Sequence, residues 1–309
     1  MGPDPSDMTD REWTLAAPFI PGAKRGGRRR ATDMREVLNA LLYIAASGCA
    51  WRLLPKCFPP VSTVQRYFYA WRNAGLLEAM NTVLVMNLRE IEGREASPSA
   101  GVVDNQSVKT TESGGPCGYD AGKKIKGRKR HILTDTCGFL IFILVHTADI
   151  QDRDGAADVL KAVRQRFPWL RHVFADGGYA GDKLRDAIAG SGQWTIEIIK
   201  RSDKANGFKV LPRRWVVERT FAWLGRCRRL AKDWKQPLPR PPHGQQSPPS
   251  ACSPAERQGI AMFGELPSQA LRPQPHPATS PMKSSCDIST GIPTKTASAP
   301  CHDPTGVSR

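Results

Sequence analysis

The sequence predicts an α/β fold: a mixed sheet flanked by helices and preceded by a small helical segment. Two observations support this fold class. Apolar residues recur at helical spacing between residues 34 and 92, and from Gly101 the spacing changes to that of strands. Two strands around a short turn then give way to alternating helix and strand patterns. That order favours a mixed sheet covered on both faces.

The first helices are marked by their caps. Thr9, with Glu12 three residues later, predicts a capped helix, and an apolar-periodic helix is predicted from Met34 to about Ser47. The glycine-rich basic loop between them is compatible with contact to DNA phosphates or a minor groove. A solvated charge run explains the same residues equally well. The basic side chains concerned are Arg28, Arg29 and Arg30.

A third helix is predicted to start at Ser62-Thr63 and to carry an aromatic stripe. Its other faces hold Arg66 and Arg72. A helix, a tight turn and an arginine-bearing helix are compatible with a helix-turn-helix DNA reader, whereas aromatic stripes at this spacing more often face a core. A helix from Leu76 to about Glu92 follows, and residues 96–99 are interpreted as a linker.

The predicted sheet begins with Val102-Val103, a strand that we expect Asp104 to close. Residues 131–135 and 139–145 flank a short turn and predict a hairpin, antiparallel to the first strand if the sheet is mixed. A basic run precedes the hairpin. We expect phosphate contacts from that run and from the end of the first strand, through Lys109, Lys123, Lys124, Lys126 and Arg128.

Helix and strand patterns alternate over the remaining periodic part of the chain. Helices are predicted at 152–167, 183–189 and 215–233, and strands at 172–176 and 194–199. Asp176 ends a strand, as Asp104 does, so we expect both acids at neighbouring strand ends, where open α/β sheets bind ligands. From Lys235 onward the chain holds 15 of its 26 prolines and lacks hydrophobic periodicity, which predicts a disordered tail.

Charge narrows the class of partner. The chain carries a formal net charge of +16, and residues 235–309, with 7 basic and 4 acidic side chains, account for little of it. A polyanion, nucleic acid first, is the partner that such an excess favours; a merely basic protein without such a partner is the alternative.

The 8 cysteines form no CxxC pair, and no secretory signal or apolar run of membrane-spanning length is present. We therefore expect a cytoplasmic, nucleoid-associated protein with reduced thiols.

Three acids from distant parts of the chain form the candidate active site: Asp104, Asp176 and Glu218. Oxygen ligands of this kind suit a pair of divalent cations, Mg²⁺ or Mn²⁺, that assist phosphoryl transfer. Each acid has a structural alternative. An aspartate at a strand end often caps a turn, and a glutamate in the first turn of a helix is favoured by the helix dipole.

Cations and further acids surround the candidate triad in the sequence. Arg214, Arg226 and Arg229 share a helical face with Glu218 and are candidates to hold substrate phosphates; a solvated face is the alternative. Capping is the expected role of the remaining acids in this region, namely Asp135, Asp149, Asp152 and Asp154. We expect His131 and His146 to be strand residues rather than metal ligands.

The chain resembles the DDE transposases of bacterial insertion sequences, in particular IS family five. The resemblance is carried by five stretches: Trp51-Arg52-Leu53-Leu54-Pro55, Val103-Asp104-Asn105-Gln106-Ser107-Val108-Lys109, Gly127-Arg128-Lys129-Arg130-His131, Ala175-Asp176-Gly177-Gly178-Tyr179 and Val217-Glu218-Arg219-Thr220-Phe221-Ala222-Trp223-Leu224. It covers about residues 9–234. It implies an RNase H-like catalytic domain, the triad Asp104, Asp176 and Glu218, dependence on Mg²⁺, and cutting and joining of DNA.

The resemblance also predicts the domain organisation and the partners. We expect a DNA-binding helical domain at 1–95, a linker at 96–100, a catalytic domain at 101–234 and the tail at 235–309. Double-stranded DNA, as element ends and target, is the expected partner, with a homo-oligomer assembled on it. Two positions depart from the family's signature near the last acid, because Leu211 replaces a Tyr and Gly225 replaces a basic residue.

Three functions remain open from the sequence. The first is a metal-dependent transposase. The second is a DNA-binding regulator with an inactive second domain, which includes the possibility of a transposase relict whose reading frame was lost near residue 235. The third is an RNase H-like nuclease without strand transfer.

Overall fold

A computed structural model describes residues 4–23, 26, 29–110, 116–199 and 214–231. All of them lie in the first of two units into which the chain divides, Met1–Pro273. The second unit, Gln274–Arg309, lies outside the described residues, as does the predicted tail from residue 235.

Four helices form the N-terminal region: α1 (Asp10–Ala16), α2 (Met34–Ser47), α3 (Val61–Asn73) and α4 (Leu76–Ile91). Thr9 and Glu12 form the predicted capping box, with both reciprocal hydrogen bonds present. Gly48 ends α2 at a φ of 70°, the left-handed conformation that glycine adopts without strain. The apolar faces of these helices enclose a core that includes Leu38, Phe68 and Met80.

The six-stranded mixed sheet consists of β1 (Ala100–Lys109), β2 (Gly118–Asp120), β3 (Ile125–Asp135), β4 (Leu140–Thr147), β5 (His172–Ala175) and β6 (Thr195–Ile198). Its order runs β3, β1, β5, β6, and both β2 and β4 pair with the other edge of β3. The pairing of β1 with β3 is antiparallel, as predicted, whereas β1–β5 and β5–β6 are parallel.

Helices cover both faces of this sheet. The helices α5 (Asp152–Arg164) and α6 (Asp182–Ile188) supply Leu160 and Leu184 to the core on one face, which also holds Val103. On the other face α7 (Arg214–Arg226) and α8 (Arg228–Ala231) pack against Val102. Successive strand residues point to opposite faces, so neighbouring residues of β1 serve the two cores.

The helix α7 and the short helix after it are held at two places. In the middle of α7 the Thr220 hydroxyl donates to the Gly138 carbonyl at 2.9 Å, and Arg219 donates to the Cys137 carbonyl. The helix breaks at Cys227, and α8 then lies against the end of α2. The two helices are so close that a Cβ added at Gly48 would lie 2.9 Å from Arg228 Cβ. The segment that carries Glu218 therefore touches both the sheet and the N-terminal helices.

Polar contacts join α4 to the sheet. Asn81 Nδ2 donates to the Leu140 carbonyl at 2.9 Å, and both partners are buried. The guanidinium of Arg89 pairs with Asp135, a carboxylate with no exposed side-chain surface, and also donates to the Glu95 carbonyl. The predicted linker thus follows a helix that is anchored on β4 and the β3–β4 turn.

Four sequence predictions differ from the structure. The strand β1 does not end at Asp104 but continues to Lys109, because the long antiparallel partner β3 pairs with it over its whole length beyond Gly101. Residues 48–60 connect α2 to α3, which is not a tight turn. Glu218 lies in the second turn of α7, so the dipole of the first turn does not explain it. Arg229 belongs to α8, beyond the break at Cys227, and so does not continue the α7 face.

No helix within the described part of the chain is long and apolar enough to cross a membrane.

Candidate active site

The first two acids lie side by side because of the parallel pairing of β1 and β5. In this register Val102 is opposite Phe174, and each aspartate follows two residues later along its own chain. Val102 and Phe174 both face the α7 side of the sheet, and a two-residue step returns to the same face. Asp104 and Asp176 are thus placed next to one another beneath α7.

Glu218 reaches the same place from α7, through an arginine. Arg214 Nη2 lies 3.9 Å from Asp176 Oδ2 and 3.8 Å from Glu218 Oε1. The preceding residue, Val217, is fully buried against Val102 on the sheet. One half-buried guanidinium therefore lies close to two of the three acids, although Glu218 itself is largely exposed.

Electrostatics single out Asp104 within this group. Burial raises its pKa from 3.8 to about 6, and the nearby charge of Asp176 adds to the rise. The backbone N–H of Asn105, which donates to Asp104 Oδ1 at 2.7 Å, opposes the rise in pKa, as do the charges of Arg214 and Lys123. Asp104 is thus a partly buried carboxyl that benefits from nearby positive charge when it ionises.

A hydrogen-bonded pair lies on the opposite face of the sheet, directly behind the aspartates. Asn105 Nδ2 donates to the Tyr179 hydroxyl at 2.8 Å, and Lys123 Nζ donates to Asn105 Oδ1 at 2.7 Å. Asn105 and Tyr179 are buried, and burial raises the pKa of the tyrosine well above its ordinary value. No sequence signal assigned a role to either residue, although each stands within three positions of an acid.

The fit of this site to a divalent cation depends on its donor atoms. Three carboxylates without sulfur or imidazole form the hard oxygen set that Mg²⁺ and Mn²⁺ accept. Nevertheless, within the described residues no group of three or more His, Cys, Asp or Glu is gathered closely enough to hold a metal ion. The donor chemistry fits, and the position of Arg214 shows that positive charge is accommodated there.

The basic residues predicted to contact phosphate fall into three groups. The exposed ones are Arg29, Arg66, Lys109, Lys123, Lys124, Lys126 and Arg226. Those half-buried are Arg30, Arg72, Arg214 and Arg229. Arg128 is buried and donates to the Pro116 carbonyl at 2.9 Å, so its position favours a structural role over the predicted phosphate contact. Arg28 lies outside the described residues.

The remaining acids and histidines are used structurally. Asp135 accepts from the N–H groups of Cys137 and Phe139, which is the capping role predicted for it. Asp152 pairs with buried Lys129 at 2.7 Å and Asp154 with Lys183 at 2.8 Å. As predicted, His131 and His146 lie on strands, and their buried rings contact each other with centroids 4.7 Å apart.

Comparison with known families matches two consecutive parts of the chain. Residues 95–238 match the family model described as a transposase DDE domain. Residues 8–81 match the model described as a putative transposase of the IS4/5 family. Both matches confirm the predicted resemblance, and the mixed sheet flanked by helices agrees with the predicted RNase H-like α/β fold.

Individual relatives point the same way. The chain is 37% identical over 81 residues to the uncharacterized protein y4sN of Sinorhizobium fredii, which covers 26% of this chain and 65% of that protein. It is 32% identical over 111 residues to a putative transposase for insertion sequence element IS402 of Burkholderia cepacia, covering 34% of this chain and 52% of that protein. The match therefore spans about half to two thirds of these relatives. No solved structure matches.

Proposed function

We propose that this chain, which matches a transposase DDE domain and an IS4/5-family transposase model, is an insertion-sequence DDE transposase. On this proposal it cuts and joins DNA with Asp104, Asp176 and Glu218 as the catalytic, metal-binding acids. The observation that carries the proposal is their placement: the β1–β5 register sets the aspartates side by side, and Arg214 lies within 4 Å of both Asp176 and Glu218. The acids belong to β1, to the turn directly after β5 and to α7, so the proposed site depends on how these three elements pack.

The chemistry assigned to the site requires ionised carboxylates. When bound, Mg²⁺ or Mn²⁺ supplies an activated water or 3′-hydroxyl and stabilises the leaving oxygen of an in-line displacement. Lys123 and Arg214 contribute positive charge that favours ionised Asp104. Arg214 lies beside Asp176 and Glu218, and a guanidinium can form two parallel hydrogen bonds with a phosphate, so we assign to Arg214 the role of holding a DNA phosphate next to the acids.

DNA is the partner that the family implies, and we assign two groups of cations to it. Lys109, Lys123, Lys124 and Lys126 are exposed at the end of β1 and in the β2–β3 region, on the same strands and turn as the site. Arg66 and Arg72 lie on α3, where they stack over Tyr67 and Tyr69. We assign contact with the DNA backbone to the lysines near the acids, and recognition of the element ends to the N-terminal helices. We expect the protein to act as a homo-oligomer on DNA.

Cleavage of labelled element-end DNA tests this function. The intact chain is expected to cut in Mg²⁺ or Mn²⁺, and Asp104→Asn is expected to bind the same DNA without cutting it, because an amide cannot supply the anionic oxygen. Asp182→Asn serves as the matched control, since Asp182 is an exposed aspartate that pairs at 3.5 Å with Arg185. Equal cleavage by Asp104→Asn would contradict the proposal.

The same assay separates the alternative functions. A regulator or relict binds the ends and leaves both strands intact in every metal, as the wild-type chain would then do. A nuclease without strand transfer releases nicked products but gives no joined product when target DNA is added. Joined product with the wild-type chain, lost in Asp104→Asn, is the result expected here.

A further inference from the structure

We propose that Asn105 and Tyr179 are positioning residues, whose hydrogen bond behind the sheet sets the spacing of Asp104 and Asp176. The inference rests on the proposed function of those two aspartates as metal ligands. Asn105 and Tyr179 are neutral side chains that lie on the face of the sheet opposite the proposed metal ligands.

The bond spans a gap that the sheet leaves open. The described pairing of β1 with β5 covers Ala100 to Val102 and ends opposite Phe174. Beyond that point the two chains are no longer held by a ladder, and it is there that both aspartates stand. The bond from Asn105 Nδ2 to the Tyr179 hydroxyl, at 2.8 Å, joins the residue after the first acid to the turn after the second.

Both partners are fixed in orientation by their surroundings. Tyr179 is 1% exposed and packs in the core with Leu160 and Leu184, and its ring edge meets His131. Asn105 presents its oxygen to Lys123 Nζ at 2.7 Å, so its amide nitrogen is the donor toward the tyrosine. Because both ends are buried, the bond is shielded from competing water.

The turn that carries Lys123 is itself anchored. Its backbone N–H donates to Asp120 Oδ1 at 3.0 Å, and Asp120 accepts from the Ser107 hydroxyl at 2.5 Å. Ser107 and Asn105 are two apart on β1 and therefore share a face. The contacts therefore join Lys123 to β1 at two positions, directly at Asn105 and through Asp120 at Ser107.

Loss of the tyrosine hydroxyl leaves the Asn105 amide in a buried place without that acceptor. We expect the amide to turn and the segment after β5 to move relative to β1. Two carboxylates that share divalent cations tolerate little change in separation, and supporting residues of metal ligands typically influence affinity by about 10- to 100-fold. The expected effect of Tyr179→Phe is therefore a tenfold or greater rise in the Mn²⁺ concentration that half-saturates the protein.

Two titrations with Mn²⁺ measure the effect. The first is of the full chain without DNA, with the rise in melting temperature as the readout, and the second is of DNA cleavage. We expect Tyr179→Phe to shift both midpoints and to regain much of its cleavage rate at saturating Mn²⁺. Asn81→Ala is the control, because it removes a buried side-chain hydrogen bond to the Leu140 carbonyl on β4, a strand that carries neither aspartate. That variant should lose melting temperature without any shift of the metal midpoints.

A double-mutant cycle shows whether the bond itself is responsible. Asn105→Ala is expected to shift the Mn²⁺ midpoints as Tyr179→Phe does, and the double variant should shift them little further. Asn105→Ala alone gives the result if Tyr179→Phe fails to fold. An unchanged midpoint in a folded variant, with cleavage intact in the wild-type chain, overturns the positioning role alone. Absence of Mn²⁺ binding and of cleavage in the wild-type chain overturns the proposed function together with it.

Discussion

Replacing Asp104 by asparagine should stabilise the metal-free protein while it removes activity. The pKa of Asp104 is about 6 in the folded chain, against an ordinary value of 3.8. Each tenfold change in proton affinity is worth about 1.4 kcal/mol, so ionised Asp104 lowers the free energy of unfolding by up to about 3 kcal/mol at neutral pH. Residual contact with solvent reduces this, and we expect a gain of about 1–3 kcal/mol for Asp104→Asn.

The pH dependence has a definite sign. A raised pKa means that the Asp104 carboxyl binds its proton more tightly in the folded chain than in the unfolded chain. The destabilisation caused by ionised Asp104 is therefore complete above the folded pKa of about 6 and fades as the pH falls toward 3.8. Urea unfolding in a chelator should therefore show the full advantage of Asp104→Asn at about pH 8 and roughly half of it at about pH 5.

Added Mg²⁺ reverses the comparison. The cation should raise the melting temperature of the wild-type chain, whose carboxylate gains a partner, and should do little for Asp104→Asn. The assignment of Asp104 as a partly buried acid with a raised pKa would be refuted by either of two results. One is that Asp104→Asn is less stable than the wild type in chelator at every pH, and the other is that its gain in stability does not depend on pH.

Three further substitutions test the fold around the site. Arg89→Ala should lower the free energy of unfolding by about 3–5 kcal/mol in urea denaturation, because it leaves Asp135 charged and buried. The control, Arg166→Ala, breaks a more exposed ion pair and should lower it by about 1 kcal/mol or less. Similar losses for both variants would contradict this. Gly127→Ala should lose at least about 2 kcal/mol in the same assay, since its Cβ would lie 2.0 Å from the Val108 carbonyl oxygen between β1 and β3. Wild-type stability in that variant would mean that the two strands separate more easily than their pairing indicates.

Local signals predicted most of the elements. The capping box at Thr9, the glycine after α2 and the turn between β3 and β4 each depend on a few neighbouring residues, and the structure has them where the sequence puts them. The adjacency of Asp104 and Asp176 was expected because each acid follows a short apolar run; it depends on the parallel pairing of β1 with β5, although β1 continues past Asp104.

Tertiary contacts account for what the sequence did not predict. The end of β1 is set by the length of β3, a partner some twenty residues away, and not by the polar residues after Val103. In the basic run, Lys129 is buried because α5 supplies Asp152 as its partner. No spacing rule places Arg214 beside Asp176, since that proximity depends on how α7 lies across the sheet.

The contact of α8 with the end of α2 has a mechanical consequence. A helical segment that contacts the β3–β4 turn at its middle and α2 at its end is expected to tilt when either partner shifts. A displacement of α2 at Gly48, of the kind that a ligand on the N-terminal helices would impose, would push on Arg228 and act through Cys227 on the helix that carries Glu218. The third acid would then move with the N-terminal helices, whereas Asp104 is held within the paired strand β1.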